Sequence, residues 1–492
     1  MVIAQYSIRS KQAYIYKTDR IKDIVGASIN ISMAWDILIE EAEKAGMICR
    51  TVSKDRGFNY ESIKKSCSEG SLNLVELFRG GGNDTLLLDS KETFIKLNQK
   101  FSYRIITEYP GMIPMAVSVE VTGDYRVDYG KLMEESEKKK NTMVQGRDEF
   151  VVPFAMVDKK TFQPYSGFYN YGERISDEVR SKRKTGDSVS DSAVKLLDDL
   201  VTKHGEESLL AIVHADGNNM GSKIQQMLTG QTDYDYCIEK MRKFTKTTAE
   251  VFVDKGLEAM RKRQAELKEK YGEKYKEKSY LFRQIVADGD DMTFICNARF
   301  AMEYVKAYVE AVDAYRDDEW KYSSCAGICI FHSHYPFARA YSLAEQCCDD
   351  GAKKMVHDAA LNGDIKEEAW VDFHYIHSGI GGELTEIRSK QGTQQSMARP
   401  WCLCGRPSER SYDKLKRIAC ILNEEKVART AIKEVGAKWE DSHEDGRKEL
   451  NKLCGHKKGL REKLNEVFKD ENDLLKAIYD LYEVYDIWFK EV

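Results

Sequence analysis

No stretch of the 492 residues approaches the ~20 uninterrupted apolar positions that a membrane-spanning helix requires. The opening run from Met1 to Arg9 also lacks a basic region followed by an apolar one. The first absence argues against a membrane protein and the second against secretion, so a cytoplasmic location is expected. Clustered cysteine is missing too. The twelve cysteines are scattered, with only Cys347-Cys348 and Cys402-Leu403-Cys404 close together, which excludes a disulfide framework and predicts mostly buried free thiols. Nor is there an excess of positive charge. With 76 Lys and Arg against 81 Asp and Glu the net charge is -5, so any nucleic-acid contact must come from local patches. Three basic stretches exist, Lys138 to Lys140, Arg180 to Lys184 and Arg261 to Lys278. The last is interleaved with Glu266, Glu269, Glu273 and Glu277 and reads as a solvated helix face.

What is present suffices for several cores: 42% of residues are hydrophobic, 32% are charged, and the length fits roughly two to four domains. The first block alternates at Val2, Ala4 and Tyr6, then predicts a helix from about Ser28 to Ala45 and a strand over Leu74 to Phe78. The glycine-rich turn Gly80 to Asp84 and the apolar run Leu86 to Leu88 complete a hairpin. A helix from Ser90 to Glu108 and a strand from Met115 to Val121 finish a β-α-β-β-α-β order. A charged helix, Tyr129 to Asn141, and an irregular stretch read as a linker. The second block repeats the order more clearly, with strands at Leu209 to His214, Leu281 to Ala287, Met292 to Cys296 and Ser324 to Phe331. Helices are expected over Asp235 to Lys270, Phe300 to Trp320 and Phe337 to Val356. From about Arg410 the pattern is helical to the end, and the stripe Tyr479, Tyr482, Tyr485, Trp488 reads as core packing.

The expected fold class is therefore α+β: two ferredoxin-like (βαββαβ) palm domains plus an α-helical C-terminal domain. The boundaries are 1–125 for a first, catalytically silent palm, 126–205 for an intermediate region, 206–400 for the second palm and 401–492 for the helical domain.

In such a sheet the first strand lies beside the hairpin formed by the second and third, so Asp216 at a strand end and Asp290 and Asp291 at the hairpin tip can converge. Paired carboxylates of this kind serve phosphoryl transfer by holding two divalent cations, and Mg²⁺ (or Mn²⁺) suits an all-oxygen donor set. The turn Asp216-Gly217-Asn218-Asn219-Met220-Gly221 adds a candidate phosphate cradle, with a helix expected near Ser222 whose positive end faces the anion. Gly289 at the hairpin tip joins these as a nucleotide-contacting position. Asn83 and Asp84 are candidates for seating an acceptor nucleotide, against an equal reading as a simple turn. The first palm lacks an aspartate in Val2 to Ile8, hence its expected silence.

The segments Ile212 to Gly221, Ala287 to Met292 and Ala326 to Phe337, with Ala344-Glu345 and Ala352-Lys353-Lys354, resemble the second palm of the large polymerase-like subunit of type III CRISPR effector complexes. Gly80 to Asn83, with Ile21 and Gly26-Ala27-Ser28 upstream, resembles its first palm, and Ala398-Arg399-Pro400-Trp401 the entry to its helical domain. The resemblance implies a nucleotidyltransferase that joins ATP, with release of pyrophosphate, into cyclic oligoadenylate second messengers in antiviral defence. Asp216, Asp290 and Asp291 would hold the metals and Lys353 would touch phosphate. RNA and other effector subunits are the implied partners.

Three departures stand out. Asp288 replaces the first glycine of the usual Gly-Gly-Asp-Asp hairpin, as an extra ligand or a mark of altered activity. The opening block reads as the first palm and holds no His-Asp pair, so DNA cleavage by the family's HD nuclease route is not expected. The segment Val151 to Tyr171 has no cysteine for the zinc cluster common between the palms. Cys402 and Cys404, with Cys420, Cys454 and His456, are either a zinc site of unusual spacing or buried thiols. His332 and His334 either approach the carboxylates or serve the structure. Two competing functions remain: a non-catalytic palm scaffold that binds RNA, its site disabled by Asp288, and a GTP-using cyclase of the GGDEF type.

Overall fold

The computed structural model describes residues 1–52, 57–143, 156–188, 197–201, 208–317, 319–361, 368–377, 381–405 and 410–490. Two compact units result. The first comprises Met1–Leu196, Asn219–Val253 and Ile285–Asp290, and the second Leu197–Asn218, Asp254–Gln284 and Asp291–Val492.

The first unit is built on strands β1 (Val2–Arg9), β2 (Cys49–Arg50), β3 (Leu74–Gly80), β4 (Asn83–Leu88) and β5 (Ile113–Glu120), in the order β2-β3-β4-β1-β5. Without the short β2 this is the ferredoxin-like order, with the first strand between the third and the fourth. Helix Lys91–Glu108 covers one face, where Tyr6 meets Phe101 edge-on at 5.6 Å and Phe94 at 6.0 Å. Ser90 caps that helix by accepting the Thr93 N–H. Helix Ile21–Lys44 begins seven residues before the expected start at Ser28, and a second strand pair, β6 (Gly167–Tyr169) with β7 (Glu173–Ile175), follows later in the unit.

Most described residues of the expected intermediate region 126–205 belong to this unit, residues 197–201 belong to the second, and the remainder lies outside the described residues. Helix Tyr125–Thr142 packs on β5, and helix Asp177–Ser188 packs on Ile21–Lys44. Arg183 forks onto Asp23 at 2.9 and 3.0 Å with both groups buried, and Gly26 leaves no room for a Cβ against the Lys182 carbonyl. The patch Arg180 to Lys184 is thus partly an internal brace, since Lys182 and Arg183 are buried.

The second sheet holds β8 (Leu209–Gly217), β9 (Phe282–Asp288), β10 (Asp291–Asn297), β11 (Ser324–His332), β12 (Ala369–Tyr375) and β13 (Trp401–Cys404), in the order β13-β12-β11-β8-β10-β9. Its last four positions repeat the ferredoxin-like order. The pair β12 and β13 was not anticipated: β12 runs parallel to β11, and β13 antiparallel to β12, so the region expected to be helical from 401 opens with a strand. Five α-helices between Tyr412 and Val484 follow. Asp480 anchors them by accepting the Arg399 N–H and the Trp401 indole N–H, and Tyr479 and Tyr485 of the aromatic stripe are buried.

Two expected long helices are interrupted by π-type turns. Asp235 to Lys270 divides into Tyr234–Thr248 and Gly256–Tyr271 around Ala249–Lys255, and Phe337 to Val356 into Phe337–Gln346 and Lys353–Leu361 around Cys347–Ala352. The helix expected to reach Trp320 ends at Ala314. No helix among the described residues is long and apolar enough to cross a membrane.

Candidate active site

A strand sends alternate side chains to opposite faces, so His214 and Asp216 share one face of β8. The β8–β10 register pairs His214 with Thr293 and Ala215 with Met292, and one further step sets Asp216 opposite Asp291. Opposed residues share a face, which brings both carboxylates to one side of the sheet at adjoining strand ends. Each is a little over one quarter exposed, open enough for a ligand to reach. Asp290 precedes Asp291 at the hairpin tip, where Gly289 takes the positive φ of 65° that the turn demands.

Helix Lys353–Leu361 supplies the cation: the Lys353 ammonium is hydrogen-bonded to Asp216 Oδ2. The approach depends on Gly327 of β11, where a Cβ would stand 2.0 Å from the Ala344 carbonyl oxygen and 2.4 Å from the Cys348 nitrogen. Burial alone would lower the Lys353 pKa, but the adjacent Asp216 charge more than offsets it and raises the value. The other Asp216 oxygen accepts the Gly217 N–H at 3.0 Å.

His214 stands behind this pair. Its Nδ1 lies 3.2 Å from Thr293 Oγ1 and 3.4 Å from Asp291 Oδ1, and its ring meets Tyr341 edge-on. Burial pushes its pKa down, opposed by the charges of Asp216, Asp349 and Glu345. Burial likewise raises the Glu345 and Asp349 carboxyls. The motif reading passed over His214 and Asp349. Their signal was spacing: His214 is two residues from Asp216 on a strand, and Glu345, Asp349 and Lys353 recur every four residues along a helical segment.

Several expected nucleotide contacts are placed otherwise. Asn218 is buried, and its side-chain amide donates to Ser323 Oγ and to the Glu368 carbonyl, both at 2.9 Å, so it braces the strand end. Asn219 adopts a left-handed φ of 58° and caps a helix that starts at Met220, two residues before the expected position. A Cβ at Gly221 would meet nothing within 4 Å, so no close neighbour in the fold requires glycine there. Asp84 turns inward: its carboxylate is fully buried, beneath Tyr6 and beside Arg79, which removes it as a seat for an acceptor nucleotide. Asn83 is partly exposed at the head of β4, its amide donating to the Gly81 carbonyl at 3.1 Å.

Asp288 faces the glycine turn of the first unit. A Cβ on Gly82 would fall 2.8 Å from Asp288 Oδ2 and 1.5 Å from the Lys11 ammonium. The added charge therefore lies near a lysine. His332 pairs with Leu209, at the end of β8 opposite Asp216, and its Nδ1 bonds Ser208 Oγ at 3.0 Å; it does not reach the carboxylates. Cys402, Cys404, Cys420, Cys454 and His456 do not gather as a metal-binding group among the described residues.

The two sheets of one strand order, one of them with paired aspartates at adjoining strand ends, define an α+β protein of the palm class. Residues 209–361 match the family model described as Cas10/Cmr2, second palm domain. Solved structures agree in fold. The Csm1–Csm4 cassette in complex with cA4 superposes with a TM-score of 0.53 at 11% identity, covering 98% of this chain and 69% of that one. The cassette in complex with pppApApA gives 0.51 at 12%, covering 98% and 69%. With AMPPNP the values are 0.50 and 12%, covering 97% and 69%. A comparison with curated proteins finds no match.

Proposed function

We propose that the chain is a metal-dependent nucleotidyltransferase that joins ATP into cyclic oligoadenylates within a type III CRISPR-type assembly. The observation that carries the reading is the apposition of Asp216 and Asp291 on one face, with Lys353 at hand, inside the segment that matches the Cas10/Cmr2 second palm. The cassettes of the same fold were solved with cA4, pppApApA and AMPPNP, which supports ATP as substrate and a cyclic adenylate as product. Their Csm4 chain supports a partner subunit of that kind.

The carboxylates fit a divalent cation. They form an all-oxygen donor set, and Asp216 already attracts the Lys353 ammonium. Asp216 and Asp291, with Asp290 beside them, would hold Mg²⁺ or Mn²⁺, which when bound supplies Lewis-acid polarisation of phosphoryl oxygens. The remaining work falls to the chain. Lys353 holds a phosphate oxygen near the carboxylates and offsets charge on the departing pyrophosphate. His214 and Thr293 fix the Asp291 carboxylate. In the transfer itself, a 3′-oxygen bonds to the α-phosphorus, the bond from that phosphorus to pyrophosphate breaks, and the hydroxyl proton passes to a carboxylate oxygen of the site or to water.

Purified chain, with and without its effector complex and target RNA, should release pyrophosphate from ATP and Mg²⁺ and yield adenylate oligomers; the other three nucleotides run in parallel test the GTP alternative. Asp216→Asn should lower product about a thousandfold, on the order of 4 kcal/mol of barrier. Turnover by that variant at the wild-type rate would overturn the site, and equal use of GTP would overturn the substrate.

A further inference from the structure

Below the proposed catalytic pair the second unit carries a different donor set. His214, Cys348 and Asp349 bring one imidazole nitrogen, one thiol sulfur and one carboxylate oxygen within 4.8 Å of one another. Both Cys348 and Asp349 lie on the π-type turn Cys347–Ala352, an irregularity that is frequent at functional positions in helices. The same turn leads directly into Lys353.

We infer that His214, Cys348 and Asp349 form a site for a thiophilic divalent cation of the Zn²⁺ class, separate in chemistry from the oxygen-only pair Asp216 and Asp291. Nitrogen and sulfur donors favour zinc over magnesium, and three protein ligands leave a fourth position for water, the pattern of an open zinc site. Size permits it: in a tetrahedral site with Zn–N and Zn–S bonds of about 2.0 and 2.3 Å, donors stand roughly 3.5 Å apart. A closure of about an ångström from 4.8 Å is within reach of Asp349, the exposed member of the three.

The surroundings of His214 give independent support. A ligating histidine usually passes its second ring nitrogen to a carboxylate or hydroxyl, which fixes its orientation. His214 Nδ1 has both, Thr293 Oγ1 at 3.2 Å and Asp291 Oδ1 at 3.4 Å, so Nε2 is the nitrogen assigned to the metal. The cation would thereby be tied through one imidazole to a carboxylate of the proposed catalytic pair. The competing account is that Cys348 is only a core thiol, packed with Cys325, Ala352, Val356 and Trp370.

Cobalt titration of the full chain separates the two. Wild type should take up Co²⁺ with a thiolate-to-cobalt charge-transfer band, displaced by Zn²⁺. Cys348→Ser should lose that band, and Asp349→Asn, a change at an exposed side chain that leaves the core intact, should weaken binding at least tenfold. Cobalt held by Asp216 and Asp291 alone gives no thiolate band, so a failure of this site is distinguishable from a failure of the nucleotidyl-transfer reading. The inference is overturned if wild type shows no band, if the band survives Cys348→Ser because another cysteine produces it, or if Asp349→Asn binds as tightly as wild type.

Discussion

The two hairpins of the molecule share a topology and differ in where the acid falls. In the first sheet Ser7 opposes Asn83 and Tyr6 opposes Asp84. In the second, Ala215 opposes Met292 and the next step sets Asp216 against Asp291. The strand-end pair that is two carboxylates in one sheet is therefore a hydroxyl and an amide in the other. The acid of the first hairpin arrives one residue later. Because side chains alternate, a one-residue offset sends it to the opposite face, into the core under the helix Lys91–Glu108. One strand order thus accommodates a partly exposed pair of carboxylates or a buried acid, decided by a single step of register.

The largest effect that would break this contrast is loss of catalysis confined to one hairpin. Asp291→Asn should cut ATP turnover about a thousandfold, while Asn83→Ala should stay within about tenfold of wild type. Product chromatography on both variants at saturating ATP decides it. An Asn83→Ala loss as deep as that of Asp291→Asn would make the first hairpin a catalytic partner and end the distinction between the two.

A smaller effect sharpens the role of the lysine on the second sheet. Lys353→Met removes the cation from Asp216 while keeping much of the stem, and the loss of one charged contact to phosphate should cost about 10- to 100-fold. If Lys353 holds phosphate through substrate binding and transfer alike, KM rises as well as kcat falling. Unchanged KM and kcat would leave Lys353 as a mere counter-ion of Asp216.

Much of this contrast was legible before any coordinates. Apolar runs bounded by Asp216 and by Asp290-Asp291 announced the strand ends, and the doubled β-α-β-β-α-β order announced the sheets. The inward turn of Asp84 was not legible, because its face depends on which residue of β1 it opposes, a pairing between positions 78 residues apart in sequence (84 minus 6). The bracing contacts of Asn218 were hidden for the same reason. Its partners, Ser323 and Glu368, come from distant segments, and nothing local distinguishes a bracing amide from a ligand-facing one. The strands β12 and β13 escaped because β12 is short, lies beside β11 and is buried on both faces, so that even its alternating polar residues Asp372 and His374 turn into the fold instead of marking a solvent face. The π-type turns escaped because one extra residue in a helical turn barely disturbs a 3.6-residue period.

The smallest effect concerns stability and belongs to the first sheet. Burial is the main reason that the Asp84 carboxyl is held well above its usual pKa, with the neighbouring Glu76 adding to the shift and Arg79, 3.6 Å away, opposing it. The Thr85 backbone N–H opposes the shift more weakly than Arg79, and Arg79 is already shared with Asp36 and Glu76. A carboxyl whose folded pKa is raised keeps its proton in the folded chain after the unfolded chain has lost it. The folded state then binds more protons, so stability falls as pH rises from the ordinary carboxylate range toward the folded value. Asp84→Asn replaces the acid with a neutral group of nearly the same shape and removes that slope. Thermal melts from pH 4 to pH 8, a range on the order of the carboxylate-to-neutral window, should show the variant melting above wild type at the alkaline end and the two converging at the acid end. A variant that melts lower than wild type at pH 8 would mean that the ion pair with Arg79 outweighs the cost of burial, and the first hairpin would then hold a working charge after all.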